Sequence, residues 1–185
     1  ASFSFSLLKH TFATISPVPK KSSAIWQCSP HTPCSPKQQH AFNDWGATCI
    51  IDGYLYLGNE TSSTHEEELK RKGIKKVLNV SHDCEVPEEL YEQLGIEWMQ
   101  KKIRDHSDAP LDQYLDEMLL FIRNSIKNKQ PILVHCKKGW SRSATVVIAY
   151  VMTYGTSLHQ EEQKISYDSA LRLVGTKRTE IQPNL

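Results

Sequence analysis

Residues 132–143 read ILVHCKKGWSRS, and this segment decides the fold that the sequence predicts. A short apolar run ends at His135, and a loop follows in which a Cys, five further residues and an Arg succeed one another. A mostly apolar stretch then begins at Ser143. The pattern predicts a buried strand, a tight loop and a helix in direct succession.

A loop placed just before a helix has a definite chemistry. It directs several backbone N–H groups into one concavity, and the helix dipole adds partial positive charge there. Such a cradle suits a phosphate dianion, and the same field favours the ionised thiolate of Cys136, a nucleophile suited to attack phosphorus. Arg142 can grip two phosphate oxygens with its planar guanidinium. The loop therefore predicts phosphoryl transfer to Cys136 that needs no metal or other cofactor.

Other residues of the segment fit this chemistry. Gly139 permits a backbone conformation that a side chain would block. Ser143 can donate a hydrogen bond to the sulfur, which would help Cys136 to leave when the phosphoenzyme is hydrolysed. His135 is expected to brace the loop and need not act as a base. A lone Cys after a strand is often only a small apolar residue, but that interpretation leaves the Gly, Ser and Arg residues of the loop as coincidences.

Around this segment, strands alternate with helices. Strands are predicted at residues 47–51, 54–57, 74–80, 96–103 and 131–135. Helices are predicted at residues 63–72, 87–94, 111–126, 143–154 and 166–174. Overlapping capping boxes at Ser63 and Thr64 are expected to start the first helix, and Gly175 to end the last one. The alternation predicts an α/β fold with a central, mostly parallel sheet flanked by helices.

The first 44 residues differ from the rest. They contain no acidic residue before Asp44, are rich in Ser and Pro, and lack helical or strand periodicity. We expect an irregular tail at residues 1–44 and one catalytic domain at residues 45–185. Three alternatives to a plain linker stay open for the tail: an organelle transit peptide, a kinase-docking peptide around Lys20-Lys21 and Ile25-Trp26, and a metal site. The residues that could bind a metal are Cys28, His31 and Cys34.

Bulk composition excludes some functions. The formal net charge is +1, so overall charge favours neither nucleic acid nor a membrane surface as a partner. Five cysteines at irregular spacings do not form the framework of a secreted disulfide scaffold. At least one thiol is therefore expected to be free, which favours a reducing, cytoplasmic location. No apolar run reaches the length of a membrane span.

The motif HCKKGWSRS at residues 135–143 resembles the signature loop of dual-specificity phosphatases, in the protein tyrosine phosphatase superfamily. Similar likeness extends to residues 51–59, 73–80, 143–150 and 181–184. The resemblance implies dephosphorylation of phosphotyrosine, phosphoserine and phosphothreonine in proteins through a phosphocysteine intermediate. It implies that the phosphate is bound by the loop residues Lys137, Lys138, Gly139, Trp140, Ser141 and Arg142.

The resemblance also places a general acid in the loop after the fourth strand. Asp105 follows that strand directly and fits the position of the acid that protonates the leaving oxygen. Asp108 is the rival, but we expect it to cap the helix that begins near Pro110. His106 is interpreted as a loop residue.

Two alternatives to a protein phosphatase stay open. Lys137 and Lys138 raise the local positive charge, as would Lys101, Lys102 and Arg104 if they border the site, and this would suit a phosphoinositide or another lipid phosphate. The chain could instead be a binding subunit with this fold, held in a larger assembly through residues 1–44. Residues 157–165 are interpreted as an insertion relative to the family.

Overall fold

Strand β5, which leads into the loop at Cys136, lies at the centre of the sheet. The computed structural model describes residues 46–106, 108–156 and 164–183. Its strands are β1 (Thr48–Ile51), β2 (Leu55–Gly58), β3 (Lys76–Asn79), β4 (Glu97–Gln100) and β5 (Ile132–His135). Its helices are α1 (Glu60–Thr64), α2 (Glu66–Arg71), α3 (Glu88–Leu94), α4 (Leu111–Lys127), α5 (Arg142–Tyr154) and α6 (Tyr167–Lys177).

The predicted α/β architecture is confirmed. The strand order is β1-β2-β5-β3-β4, in which β1 pairs with β2 antiparallel and every other pair is parallel. His135 at the end of β5 lies beside Gly58 of β2 and Asn79 of β3. Because parallel strands end at the same edge, the segments that follow β2, β3, β4 and β5 converge on one side of the sheet.

The sheet is buried on both faces, as a parallel sheet requires. All four residues of β5 are buried. On one face, Tyr56, Val77 and Leu133 pack with Leu69 of α2 and Tyr91 of α3. The alternate strand residues point to the other face by the two-residue period of a strand, where α4, α5 and α6 pack. The sheet therefore presents a rigid edge from which the loops project.

Two predicted helix boundaries are wrong. The predicted helix at residues 63–72 is two short helices, and the capping boxes of Ser63 and Thr64 do not form. Their hydroxyls instead donate to the carbonyl oxygen of Glu60. The side chain of Asn59 caps α1 and that of His65 caps α2, each by accepting a hydrogen bond from a backbone N–H of the first helical turn. Because the cap at Asn59 forms about one turn before Ser63, the first helix begins at Glu60.

The last helix continues through Gly175 to Lys177, so Gly175 does not end it. A Gly inside a helix costs only about 1 kcal/mol relative to Ala, and this helix buries Ala170 and Val174 against the domain. Packing therefore outweighs the local preference. The predicted start at Ser166 holds, because its side chain accepts from the N–H of Ser169.

Several predictions fall outside the described residues. These are the tail at residues 1–44 with its candidate metal ligands, most of the insertion, and Asn184. Within the described ranges, every helix is too short or too polar to cross a lipid bilayer.

Candidate active site

The loop between β5 and α5 surrounds the sulfur of Cys136. The residue is buried, and its Sγ accepts a hydrogen bond from the backbone N–H of Gly139 at 3.3 Å and from the Ser143 hydroxyl at 3.2 Å. Donors at these positions favour a negative charge on the sulfur. Ser143 therefore lies where the sequence placed it, within reach of the nucleophile.

Gly139 has the backbone conformation that the sequence predicted for it. Its φ is +73°, in the left-handed region that favours glycine. A Cβ at this position would collide with the carbonyl oxygen of Gly58 and lie 2.8 Å from a guanidinium nitrogen of Arg178. The loop thus packs directly against the end of β2, and a side chain at position 139 would force the loop away from that strand.

The guanidinium of Arg142 is held firmly from one side. Its Nη1 donates to the Ile103 carbonyl at 2.8 Å and to the Ser81 hydroxyl at 3.0 Å, and it lies 3.3 Å from Asp83 Oδ2. The Nε of Arg142 and the Oγ of Ser141 are buried and make no hydrogen bond within the described part of the chain. Unpaired buried polar atoms of this kind are costly. An oxyanion is the ligand chemistry that would satisfy both.

Two carboxylates contact Arg142, and the sequence predicted one of them. Asp105 Oδ2 lies 3.5 Å from Nη2 of Arg142, and its side chain is 49% exposed. Asp83 was missed. It follows β3 at the same sheet edge, and the convergence of parallel strand ends was the signal that could have found it.

Asp108 does not cap the following helix, so that prediction is wrong. The N-cap residue is Pro110, with no side-chain hydrogen bond to the helix start. The side chain of Asp108 is 86% exposed and lies 3.5 Å from Nδ1 of His106. The preference for Asp105 over Asp108 therefore loses its capping argument, and the acid role of Asp105 stays a prediction from the family resemblance.

His135 lies buried at the end of β5. Burial lowers the pKa of His135 to about 4, against an opposing effect of the Cys136 backbone. The ring is therefore neutral at neutral pH, and its Nδ1 makes no hydrogen bond among the residues described. A neutral, buried ring fits the predicted role in supporting the loop better than a role as an acid.

Two of the five basic residues that the sequence placed near the site, Lys137 and Lys101, have carboxylate partners. Lys137 forms an ion pair with Glu60, which raises the pKa of Lys137. Lys138 Nζ lies 5.1 Å from the ring centroid of Trp140, at a distance suited to a cation–π contact. Lys101 Nζ lies 2.6 Å from Glu117 Oε2. The strong local positive charge that the sequence suggested is therefore partly neutralised by carboxylates.

The prediction of a free thiol is confirmed. Cys49, Cys84 and Cys136 are free cysteines in the described part of the chain. Burial raises the pKa of the Cys84 thiol, so this second buried cysteine is held in its protonated, less nucleophilic form.

Comparison with known proteins agrees with this geometry. Residues 55–185 match the family model described as dual specificity phosphatase, catalytic domain. Dual specificity protein phosphatase Mpk3 of Drosophila melanogaster is 37% identical over 136 residues, which cover 73% of this chain and 30% of that protein. Human dual specificity protein phosphatase 7 is 34% identical over 131 residues, which cover 71% of this chain and 29% of that protein. The chain thus spans less than a third of the length of these curated relatives.

A solved structure supports the fold. The crystal structure of human DUSP28 matches with a TM-score of 0.63 at 24% identity, covering 75% of this chain and 85% of that one.

The buried His135 predicts a pH dependence of stability. Its pKa is 6.5 in the unfolded chain and about 4 in the fold, so between these values the unfolded state binds a proton that the folded state refuses. The free energy of unfolding should therefore fall by roughly 3 kcal/mol as the pH is lowered through this window, at about 1.4 kcal/mol per pH unit. Urea unfolding from about pH 7 to about pH 4 would measure it. His135→Asn should remove this part of the slope; an unchanged slope would contradict the assignment.

Proposed function

Since the chain belongs to the dual-specificity phosphatase family, we propose that residues 45–185 form a phosphatase domain that hydrolyses phosphotyrosine, phosphoserine and phosphothreonine in proteins. The observation that carries the proposal is the pairing of the Cys136 sulfur with two hydrogen-bond donors next to a buried, partly unsatisfied Arg142. Together these groups can hold a tetrahedral anion against a nucleophile.

The proposed reaction has two steps. The Cys136 thiolate attacks phosphorus, the S–P bond forms, and the bond to the substrate oxygen breaks as Asp105 protonates that oxygen. Water then attacks the phosphocysteine and gives a proton to Asp105, and the S–P bond breaks to release phosphate. Ser143 supports this second step, because its hydroxyl lies 3.2 Å from the departing sulfur. Arg142 holds the phosphoryl oxygens throughout.

A protein substrate fits the charges at the site better than a highly anionic lipid does. Glu60 pairs with Lys137, and Asp83 and Asp105 both contact Arg142. These ion pairs neutralise Lys137 and part of the charge of Arg142, so the additional phosphates of a lipid headgroup would be attracted less strongly than by unpaired cations. A single phosphorylated side chain needs only the cradle itself.

Catalysis by a thiolate requires reduced Cys136. The three free cysteines of the described residues favour a reducing compartment such as the cytoplasm. The hypothesis of a binding subunit with an unused pocket is less favoured, because the groups that catalysis needs are in place. The Cys136 sulfur accepts from the loop amide of Gly139, and Asp105 contacts Arg142.

The nucleophile is tested by substitution. Wild-type protein should hydrolyse an aryl phosphate in the presence of a chelator, and Cys136→Ser should lower kcat by about a thousandfold or more, because an unactivated hydroxyl replaces the thiolate. Cys49→Ser is the matched control, since this thiol lies in β1 and donates a hydrogen bond to the Ile51 carbonyl. Turnover by Cys136→Ser at the wild-type rate would remove the proposed function.

The acid is tested by comparing two aspartates. Asp105→Ala should lower kcat on a phosphotyrosyl peptide by roughly a hundredfold to ten-thousandfold, and less on an aryl phosphate whose leaving group needs no proton. Asp108→Ala should retain near wild-type kcat on both. The reverse ranking would move the acid role to Asp108.

Substrate class is tested by competition between peptide and lipid. The kcat/KM for a phosphothreonyl or phosphotyrosyl peptide should exceed that for a soluble phosphoinositide by about tenfold or more, given the carboxylates around the cradle. Glu60→Gln should reduce the ratio of the peptide kcat/KM to the lipid kcat/KM, because it leaves the positive charge of Lys137 without its carboxylate partner. Glu66→Gln is the control, because its ion pair is with Lys70 of the same helix. Faster turnover of the lipid by wild-type protein would favour the lipid alternative.

A further inference from the structure

The outer side of the phosphate-binding loop is bonded to the segment that ends α6 and follows it. Three consecutive loop carbonyls accept hydrogen bonds from this segment: Lys138 O from Arg178 Nη2 at 3.4 Å, Gly139 O from Arg178 Nε at 3.1 Å, and Trp140 O from the Gln182 N–H at 2.8 Å. Each of these carbonyls therefore points away from the cradle.

The direction of the carbonyls sets the direction of the amides. All peptide bonds of the described residues are trans, so the C=O and N–H of one peptide point to opposite sides. In the peptide between Lys138 and Gly139, the C=O meets Arg178 on the outside and the N–H meets the Cys136 sulfur on the inside. A cation at the carbonyl polarises the peptide and strengthens the bond that its N–H donates.

Arg178 is itself anchored to the sheet. Its Nη1 lies within hydrogen-bond distance of Gly46 O at 3.2 Å, Thr48 Oγ1 at 3.1 Å and Leu57 O at 3.4 Å. One guanidinium thus joins the loop to the start of β1 and to β2. A lysine could supply the charge here, but not the planar fork that reaches these groups at once.

We infer that Arg178 is a positioning residue of the active site: through the Lys138–Gly139 peptide it stabilises the ionised sulfur of Cys136 and keeps the loop amides turned toward the phosphate. It lies on the outside of the loop and does not touch the reacting atoms. The inference rests on the proposed function, and it adds to the machinery of the loop the residue directly after the last helix, 42 positions beyond the nucleophile.

The experiment uses the full chain with Arg178→Lys and Arg178→Met. Lys177→Met is the matched control, because this neighbouring cation bonds the Ile50 carbonyl of β1 and not the loop. Four quantities are measured besides the melting temperature: the inhibition constant of orthovanadate, kcat and KM on an aryl phosphate, and the alkylation rate of Cys136 by iodoacetamide, followed by mass spectrometry. The ratio of alkylation rates at about pH 6 and about pH 9 reports the thiolate fraction.

Arg178→Met should lower this ratio, because the sulfur loses part of the polarised amide that stabilises its charge, and raise the inhibition constant of orthovanadate by about tenfold, the effect of roughly one hydrogen bond. Arg178→Lys should fall between wild type and Arg178→Met, and Lys177→Met should match wild type. If Arg178→Met does not fold, Arg178→Lys decides, because the lost fork alone should lower the alkylation ratio and raise the inhibition constant of orthovanadate. A lower melting temperature with an unchanged alkylation ratio and inhibition constant would make Arg178 merely structural and overturn the inference.

The two proposals fail separately. Wild-type protein that shows no turnover dependent on Cys136 would remove the proposed function, whereas the alkylation ratio would still report on Arg178. Active wild-type protein with an Arg178→Met variant of equal alkylation ratio and equal inhibition would remove only the role of Arg178.

Discussion

The proposed chemistry depends on negative charge at the sulfur of Cys136, which is buried beside the end of the central strand. Burying an unpaired charge is strongly unfavourable, so the ionised state at Cys136 requires donors that are already in place. The Gly139 amide and the Ser143 hydroxyl supply them. Gly139 belongs to the turn that follows the central strand and Ser143 to the first turn of α5, and the parallel strands β2 and β3 end beside them.

The guanidinium of Arg142 is a buried positive charge that its neighbours hold in place for binding an anion. Its Nη1 is committed to Ser81, Asp83 and the Ile103 carbonyl, which fix the plane of the fork. Asp105 contacts the other terminal nitrogen, where a phosphoryl oxygen would bind. In the proposed reaction the substrate would compete with Asp105 for this nitrogen, and the displaced carboxylate would take up a proton from solvent before it could protonate the leaving oxygen.

Local sequence predicted those parts of the site that local chemistry controls. Residues 132–143 carry strand, loop and helix in one segment, so their chemistry could be read without the fold. The helix boundaries predicted from Ser63 and Gly175 were wrong. A cap at Asn59 starts the first helix earlier, and the burial of Val174 outweighs the preference of Gly175 to end the last one. Asp83 and Glu60 were missed because their roles arise only when separate strand ends meet. Their partners are 59 and 77 positions away in sequence, beyond the reach of periodicity or motif spacing.

Contacts between residues that are far apart in sequence also hold the loop of the site in its conformation. The Gly139 amide bonds the sulfur while the carbonyl of the same peptide bonds Arg178, and Arg178 in turn is bonded to Gly46, 132 positions earlier. A fragment that contained only the strand, loop and helix would have the residues of the motif but nothing to hold its peptides in register. The motif therefore specifies the chemistry, while the first strand and the last helix together supply the geometry that makes the chemistry available.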